Sequence, residues 1–466
     1  MSIDLTCSIP ADSGKAWDYL AAPGAFVRIS PPFMPLRPVS EADSLRDGVA
    51  VLEPRTALPG PLGARFGPRW SAQHDPAGYV EGAAFVDRCV SQPYAGLTGW
   101  VHEHSVTAGP DGTTLLGDRV RARVPGRLLA PVFAYRYRQM ATDLDRIQRL
   151  TGPDGGRPLT VAVTGASGLV GTALCALLGV AGHRVIRLVR GTPTSSDERR
   201  SDERQWDPAD PAADLLDGVD VLVHLAGASI AGRFTDQHLA TVSGSRIGPT
   251  RRLAELVAAR DGATAMVCAS AVGYYGADRG DEILTEDSDA GSGPLAEIVA
   301  EWEADCEPAR RSRARLVSVR TGIVLSGAGG MLPPLAAITR TGLGGRLGSG
   351  RQWMSWIALD DLTDIYLRAI VDPALTGVVN AVAPEPVRNS EFTRVLGAVL
   401  HRPTLVPVPG FAPGLILGRR GSDELALADQ KVDPGALRRA GHQFRFPGLR
   451  AALDHELGAE TLPAAL

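Results

Sequence analysis

Residues 159–178 constrain this chain more than any other stretch. An apolar run, Leu159 to Val163, reads as a buried strand. Gly165, Gly168 and Gly171 follow at the spacing GxxGxxG, and Ala173, Leu174, Leu177 and Leu178 then mark one face of a helix. Strand, glycine turn and helix form the order that sets a pyrophosphate on a helix N-terminus. The glycines let phosphate approach the backbone, and the free N–H groups of the first turn meet its negative charge. Gly165, Ala166, Ser167, Gly168, Leu169, Val170 and Gly171 are thus candidate cofactor-binding residues. The motif begins about a third of the way along the chain, so the residues upstream must build something else.

At 466 residues the chain needs two or three domains. Its net charge of -4 gives no basic footprint, which argues against nucleic acid as a partner. No apolar run approaches the roughly 20 residues that span a bilayer, and the first residues lack a basic stretch followed by an apolar one, so the expected location is the cytoplasm. The five cysteines (7, 89, 175, 268 and 306) are scattered without a CxxC pair. That favours a reducing compartment and gives no sign of a metal cluster.

The grammar changes near Thr151–Pro158, a turn-rich linker. Upstream it is mostly strand. Ile3 to Ile9 alternates, Ala16 to Leu20 suggests a short helix, and Trp100–Val106 and Thr114–Val124 look like late antiparallel strands. Phe133, Tyr137, Met140, Leu144 and Ile147 then mark the apolar face of a long helix, with Arg136, Arg138, Asp143, Asp145 and Arg146 around the rest. Downstream, Arg184–Val189, Val219–Leu225, Ala265–Ser270 and Arg315–Arg320 read as buried strands separated by helices such as Thr250–Ala259. This is the pattern of an α/β Rossmann fold, a doubly wound parallel sheet. The expected divisions are 1–150, a linker at 151–158, a nucleotide-binding domain at 159–380 and a C-terminal substrate lobe at 381–466.

Two further features shape the cofactor site. His224, Leu225, Ala226 and Gly227 end a strand in small residues, where backbone must pass close to a cofactor. About 20 residues past the last glycine, where NAD binders place an acid on the ribose 2′-OH, the chain has Arg190. A guanidinium grips a 2′-phosphate, so NADP is expected over NAD.

Several pieces together resemble the extended short-chain dehydrogenase/reductases, the NAD-dependent epimerase/dehydratase superfamily, and within it the atypical subgroup known as epimerase family proteins. They are Thr164–Gly171, His224–Gly227, Ser270–Gly276, Arg320–Leu325, Gly348–Ile357 with Asp360 and Asp361, Val379–Pro384, and the tail from Gln430–Pro434 to Phe444–Pro447. The order of elements in 1–150 resembles the START-like, or polyketide cyclase-like, helix-grip domain (α+β), which implies an apolar ligand held between sheet and helix. The superfamily resemblance implies a Tyr and a Lys at YxxxK for proton transfer, with a Ser or Thr nearby. Aligned on Glu303, this chain has Leu295 and Val299 there, and no YxxxK follows Ser270.

Three readings stay open. Ser270 and Tyr274 take over catalysis; Glu297 or Glu301 does; or the domain binds NADP and ligand without turnover, as a regulatory or sensor protein. Catalytic candidates are therefore Ser270 and Tyr274. Tyr275, Arg351 and Gln352 are candidates for contact with a small-molecule substrate. His102 and His104 share a strand face with no third ligand evident, and no metal site is assigned.

Overall fold

The computed structural model describes residues 2–55, 67–152, 156–191, 202–260 and 265–462. It divides into two compact units. One comprises Met1–Gly156, Ala176–Gly182 and Asp454–Leu466; the other comprises Arg157–Cys175 and His183–Leu453. Among the described residues no helix is long and apolar enough to cross a membrane.

The first unit is built on seven strands: β1 (Ser2–Ile9), β2 (Leu36–Ser40), β3 (Val49–Pro54), β4 (Trp70–His74), β5 (Ala84–Cys89), β6 (Val101–Ala108) and β7 (Thr114–Arg121). They form one antiparallel sheet in the order β1-β7-β6-β5-β4-β3-β2. Alternation decides which face is covered. In β7, Thr114, Leu116, Asp118 and Val120 turn inward, and in β6 His102, His104 and Val106 do. Helix α1 (Ser13–Ala21) and the 26-residue α2 (Gly126–Thr151) cover that face, burying Trp17, Leu20, Phe133, Tyr137 and Met140.

One expectation for α2 is corrected. The helical pattern puts Asp143 on the polar side, yet it is fully buried. Arg28 donates to both of its carboxylate oxygens at 2.7 and 2.8 Å, and Tyr19 Oη donates at 2.7 Å. A carboxylate leaves water when a bidentate guanidinium and a phenol replace its hydration.

The second unit carries β8 (Thr160–Thr164), β9 (Arg184–Val189), β10 (Glu203–Gln205), β11 (Val221–His224), β12 (Ala265–Ala271), β13 (Leu316–Thr321) and β14 (Gly377–Ala381). All are parallel, in the order β10-β9-β8-β11-β12-β13-β14. Helices α3 (Leu169–Val180), α4 (Ile247–Ala258), α5 (Pro294–Ala304) and α6 (Leu359–Val371) connect the strands. Helices cover both faces, so the central strands β8 and β11 are buried almost end to end and do not alternate: Val161, Ala162 and Val163 are all fully buried. The strand order reverses between β8 and β11, which opens a crevice at their C-terminal ends.

The short strand Asp278–Leu284 pairs in parallel with Asp429–Val432. Two segments that stand out in the sequence meet elsewhere in this unit. The Asp361 carboxylate accepts the backbone N–H groups of Arg445 and Phe446, and the Arg445 guanidinium lies on Asp364 at 2.5 Å, both side chains almost wholly buried.

Candidate active site

The glycine loop joins β8 to α3 at the crevice. Gly165 has φ +68, and a Cβ there would lie 2.9 Å from the backbone of Leu225 and Ala226, so only glycine fits between the two strand ends. A Cβ on Gly171 would lie 2.2 Å from Gly165 O, which fixes how closely α3 packs on the turn. Gly168 differs: its nearest neighbour would be Gly165 O at 3.3 Å, and Ser167 and Gly168 are exposed. The first and third glycines therefore serve packing, and the second leaves the N-terminus of α3 open to a ligand. Leu169 and Val170 begin that helix. These residues fit the pyrophosphate of a dinucleotide without steric conflict.

The other wall, Leu225–Gly227, is held by side chains. Thr164 and His224 stand opposite each other across β8 and β11. Thr164 Oγ1 accepts the N–H groups of Leu225 and Ala226 at 3.1 and 3.2 Å and lies 2.7 Å from His224 Nδ1. Arg246 donates to the Ala228 carbonyl at 2.9 Å, and its guanidinium occupies the space where a side chain on Gly227 would go.

Burial, and then the Arg246 charge, lower the His224 pKa from 6.5 to about 4. The imidazole is neutral in the fold, so between those values the unfolded chain binds the extra proton. Stability is then fully present above pH 6.5 and is lost as pH falls toward 4, by about 3 kcal/mol in all. Urea unfolding between pH 7.5 and 4.5 should show this slope, and His224→Gln should flatten it. Equal slopes in the two chains would refute a buried neutral imidazole.

Past β12 lies a polar row. The register sets Ser270 of β12 beside Arg320 of β13, and Arg320 beside Asn380 of β14. Residues level with one another on parallel strands share a face, so the three side chains line up. Ser270 Oγ donates to Glu303 of α5. Arg320 donates to both Glu303 oxygens at 2.8 Å and to Tyr275 Oη at 3.0 Å, and Tyr275 Oη donates to Asn380 at 2.7 Å. The pair is buried, with side-chain exposures of 4% for Arg320 and 10% for Glu303. Burial works against the Arg320 cation, but the Glu303 carboxylate outweighs it and raises the guanidinium pKa further. The guanidinium carbon lies 3.5 Å from the centroid of the Tyr274 ring, in cation–π contact.

Three sequence expectations look different in this setting. Ser270, taken as catalytic, is 4% exposed and bonded to Glu303. Tyr275, taken as a substrate contact, is fully buried because its hydroxyl bridges Arg320 and Asn380. Gln352, the other buried substrate candidate, is turned inward and donates its amide to Leu347 O at 3.2 Å. Arg351 is exposed and Tyr274 half-exposed. Arg190 is exposed immediately past β9. On α5, Leu295 and Val299 are buried, whereas Glu297 and Glu301 are exposed. Glu303 and Arg320 form a buried ion pair at this end of the sheet that sequence reasoning missed. The available signal was Arg320 itself, a charged residue ending an otherwise apolar strand.

A seven-stranded parallel sheet with a glycine cradle at its switch point defines an NAD(P)-binding Rossmann-like protein. The model of the NAD dependent epimerase/dehydratase family matches residues 161–381, and that of a domain of unknown function, DUF1731, matches residues 408–456. An epimerase family protein of Mycobacterium bovis is 43% identical over 300 residues, which is 63% of this chain and 96% of that protein. The chain belongs to the NAD dependent epimerase/dehydratase family. The crystal structure of the nucleoside-diphosphate sugar epimerase from Corynebacterium glutamicum is 44% identical. It covers 99% of this chain and 91% of its own, with a TM-score of 0.84. The human epimerase family protein SDR39U1, solved with NADPH, is 32% identical. It covers 64% of this chain and 99% of its own, with a TM-score of 0.57.

Proposed function

We propose that the second unit is an NADP-dependent oxidoreductase or epimerase acting on a small molecule at the C-terminal ends of β8, β11 and β12. The glycine cradle carries this reading, since its packing leaves an open helix N-terminus at the switch point of the sheet. NADP, when bound, supplies hydride transfer at the nicotinamide. Gly165–Gly171 would hold the pyrophosphate, and Leu225–Gly227 would border the nucleotide. Arg190 would take the 2′-phosphate; the NADPH bound to the human relative supports the same choice.

Tyr274 is the half-exposed phenol at that end of the sheet, so it is the group assigned to move a proton to or from a carbinol oxygen. Ser270 acts as a positioning residue through Glu303, which with Arg320 fixes the ring of Tyr274. Arg351 is left for an anionic or polar group of the substrate.

We infer that the first unit is a START-like helix-grip domain holding an apolar ligand; its seven-stranded antiparallel sheet, covered by the long helix Gly126–Thr151, supports that reading. The free cysteines among the described residues support a reducing compartment such as the cytoplasm.

A second reading has one observation in its favour. Leu295 and Val299 are buried apolar residues where the resemblance places the proton-transferring Tyr and Lys. On that reading the chain is a non-catalytic NADP- and lipid-binding sensor.

One assay separates them. Purified protein is offered NADPH with a carbonyl panel, then NADP with alcohols, and absorbance of the reduced nicotinamide is followed. Turnover that falls by about 100-fold or more in Tyr274→Phe supports the enzyme, since positioned acid–base groups contribute about 10²–10⁴-fold. Tight NADPH binding without turnover supports the sensor. In parallel, Arg190→Ala should weaken NADPH binding about tenfold or more while leaving NADH unchanged, the loss of roughly one charge-assisted hydrogen bond. Equal losses for both cofactors would end the 2′-phosphate assignment.

A further inference from the structure

His102 and His104 lie on the inward face of β6, and the sheet supplies the donors that the sequence does not reveal. In the antiparallel register Asp87 of β5 stands opposite His102, and Asp118 of β7 stands opposite His104. All four side chains are buried. Asp87 Oδ2 lies 2.9 Å from His104 Nε2 and 3.4 Å from His102 Nδ1. Asp118 Oδ1 lies 2.8 Å from His102 Nε2 and 3.1 Å from His104 Nδ1. Each imidazole therefore turns one nitrogen to each carboxylate.

We propose that Asp87, His102 and His104 bind a divalent transition-metal ion of the zinc class, with Asp118 orienting both imidazoles from behind. Donor atoms of the three lie within 4.8 Å of one another. In a tetrahedral site with bonds of about 2.0–2.1 Å, donors sit about 3.3 Å apart, and the two distances to Asp87 bracket that value. Two imidazoles and a carboxylate suit zinc and its neighbours; magnesium and calcium prefer oxygen alone.

The surroundings match what metal-binding histidines require. The far ring nitrogens face a carboxylate, Asp118, the usual partner of a liganding imidazole. Trp100 Nε1 donates to Asp87 Oδ1 at 3.0 Å, which leaves Oδ2 for the ion. Phe85 stacks on His104 at 4.0 Å, and Phe133 of α2 meets His102 edge-on at 5.5 Å, so the ligand rings are fixed in place.

One cation also borders the cluster: Arg136 lies 3.0 Å from His104 Nδ1 and 3.6 Å from Asp118.

The test uses the full chain, freed of any histidine tag. Zinc chloride is titrated into folded protein and, because every donor is buried, also added during refolding from denaturant. The expected result is one zinc per chain. His104→Gln and Asp87→Asn should each lower the affinity by at least the roughly 10–100-fold that even an outer-shell partner is worth. Zinc-edge X-ray absorption on the unsubstituted chain does not depend on the variants folding. It should count two imidazole nitrogens at about 2.0–2.1 Å. The proposal is overturned by no stoichiometric uptake in either preparation or by fewer than two imidazoles around the metal. Binding lost in His401→Gln, an exposed imidazole, but kept in the other two variants would also overturn it.

Discussion

Arg320→Met should cost the second unit about 3–5 kcal/mol, because it strands the Glu303 carboxylate among buried groups. That carboxylate accepts three bonds, two from Arg320 and one from Ser270, and only the last would survive. Glu303→Gln alone should be comparably harmful, leaving Arg320 charged against a neutral amide. The double variant should recover a large part of the loss, since neither charge then remains. A double-mutant cycle by urea unfolding measures the coupling, and additive losses would show that the two side chains do not act as a unit. Arg320→Met should also lower any turnover that depends on Tyr274, whose ring loses the guanidinium beneath it. Arg320→Lys is not a conservative repair, since an ammonium cannot bind both carboxylate oxygens in the plane and reach Tyr275 as well.

The second large effect is at the cradle. Gly171→Ala places a methyl 2.2 Å from Gly165 O, and that neighbour is backbone. Either α3 or the turn must move. The stability cost should reach the 1–3 kcal/mol typical of overpacking, and NADPH affinity should fall about 10–100-fold, each tenfold being about 1.4 kcal/mol. Gly168→Ala is the informative control. Its methyl would lie 3.3 Å from Gly165 O, a tight contact but a far milder one, so folding should suffer less than in Gly171→Ala while binding falls, because the methyl enters the space proposed for phosphate. Fluorescence titration with NADPH beside thermal unfolding separates the two. If Gly168→Ala left affinity untouched, the phosphate would lie elsewhere.

The parallel sheet was legible because strands covered on both faces are written as unbroken apolar runs, and Val161–Val163 is such a run. The glycine spacing was legible because a glycine turn between a strand and a helix is written in consecutive residues. The polar interior was not. Glu303 stands four residues past Val299 and eight past Leu295, on the buried face of its helix, but that spacing says nothing of the partner a carboxylate there would need. Its partner comes from a strand 17 residues later, and the phenol bridging to Asn380 spans 105 positions. Asp143 and Arg28 are 115 apart. The pairing of Asp87 with His102 likewise depends on strand register, which no local pattern states. Charges that enter a core do so in company, and the company is chosen by topology.

The grouping of residues 454–466 with the N-terminal unit has a consequence for how the chain comes into being. In that unit His455 stacks on Tyr135 at 4.5 Å, Glu460 lies 3.1 Å from Arg138, and Leu462 packs against the core. Synthesis delivers the seven strands and α2 first, and they begin to fold as they emerge. The residues that complete their packing are made only after the whole second unit. The part of the protein that starts folding earliest is thus among the last to finish, and a nascent chain stalled before His455 holds a first unit that lacks the His455 ring on Tyr135 and the Glu460 carboxylate beside Arg138.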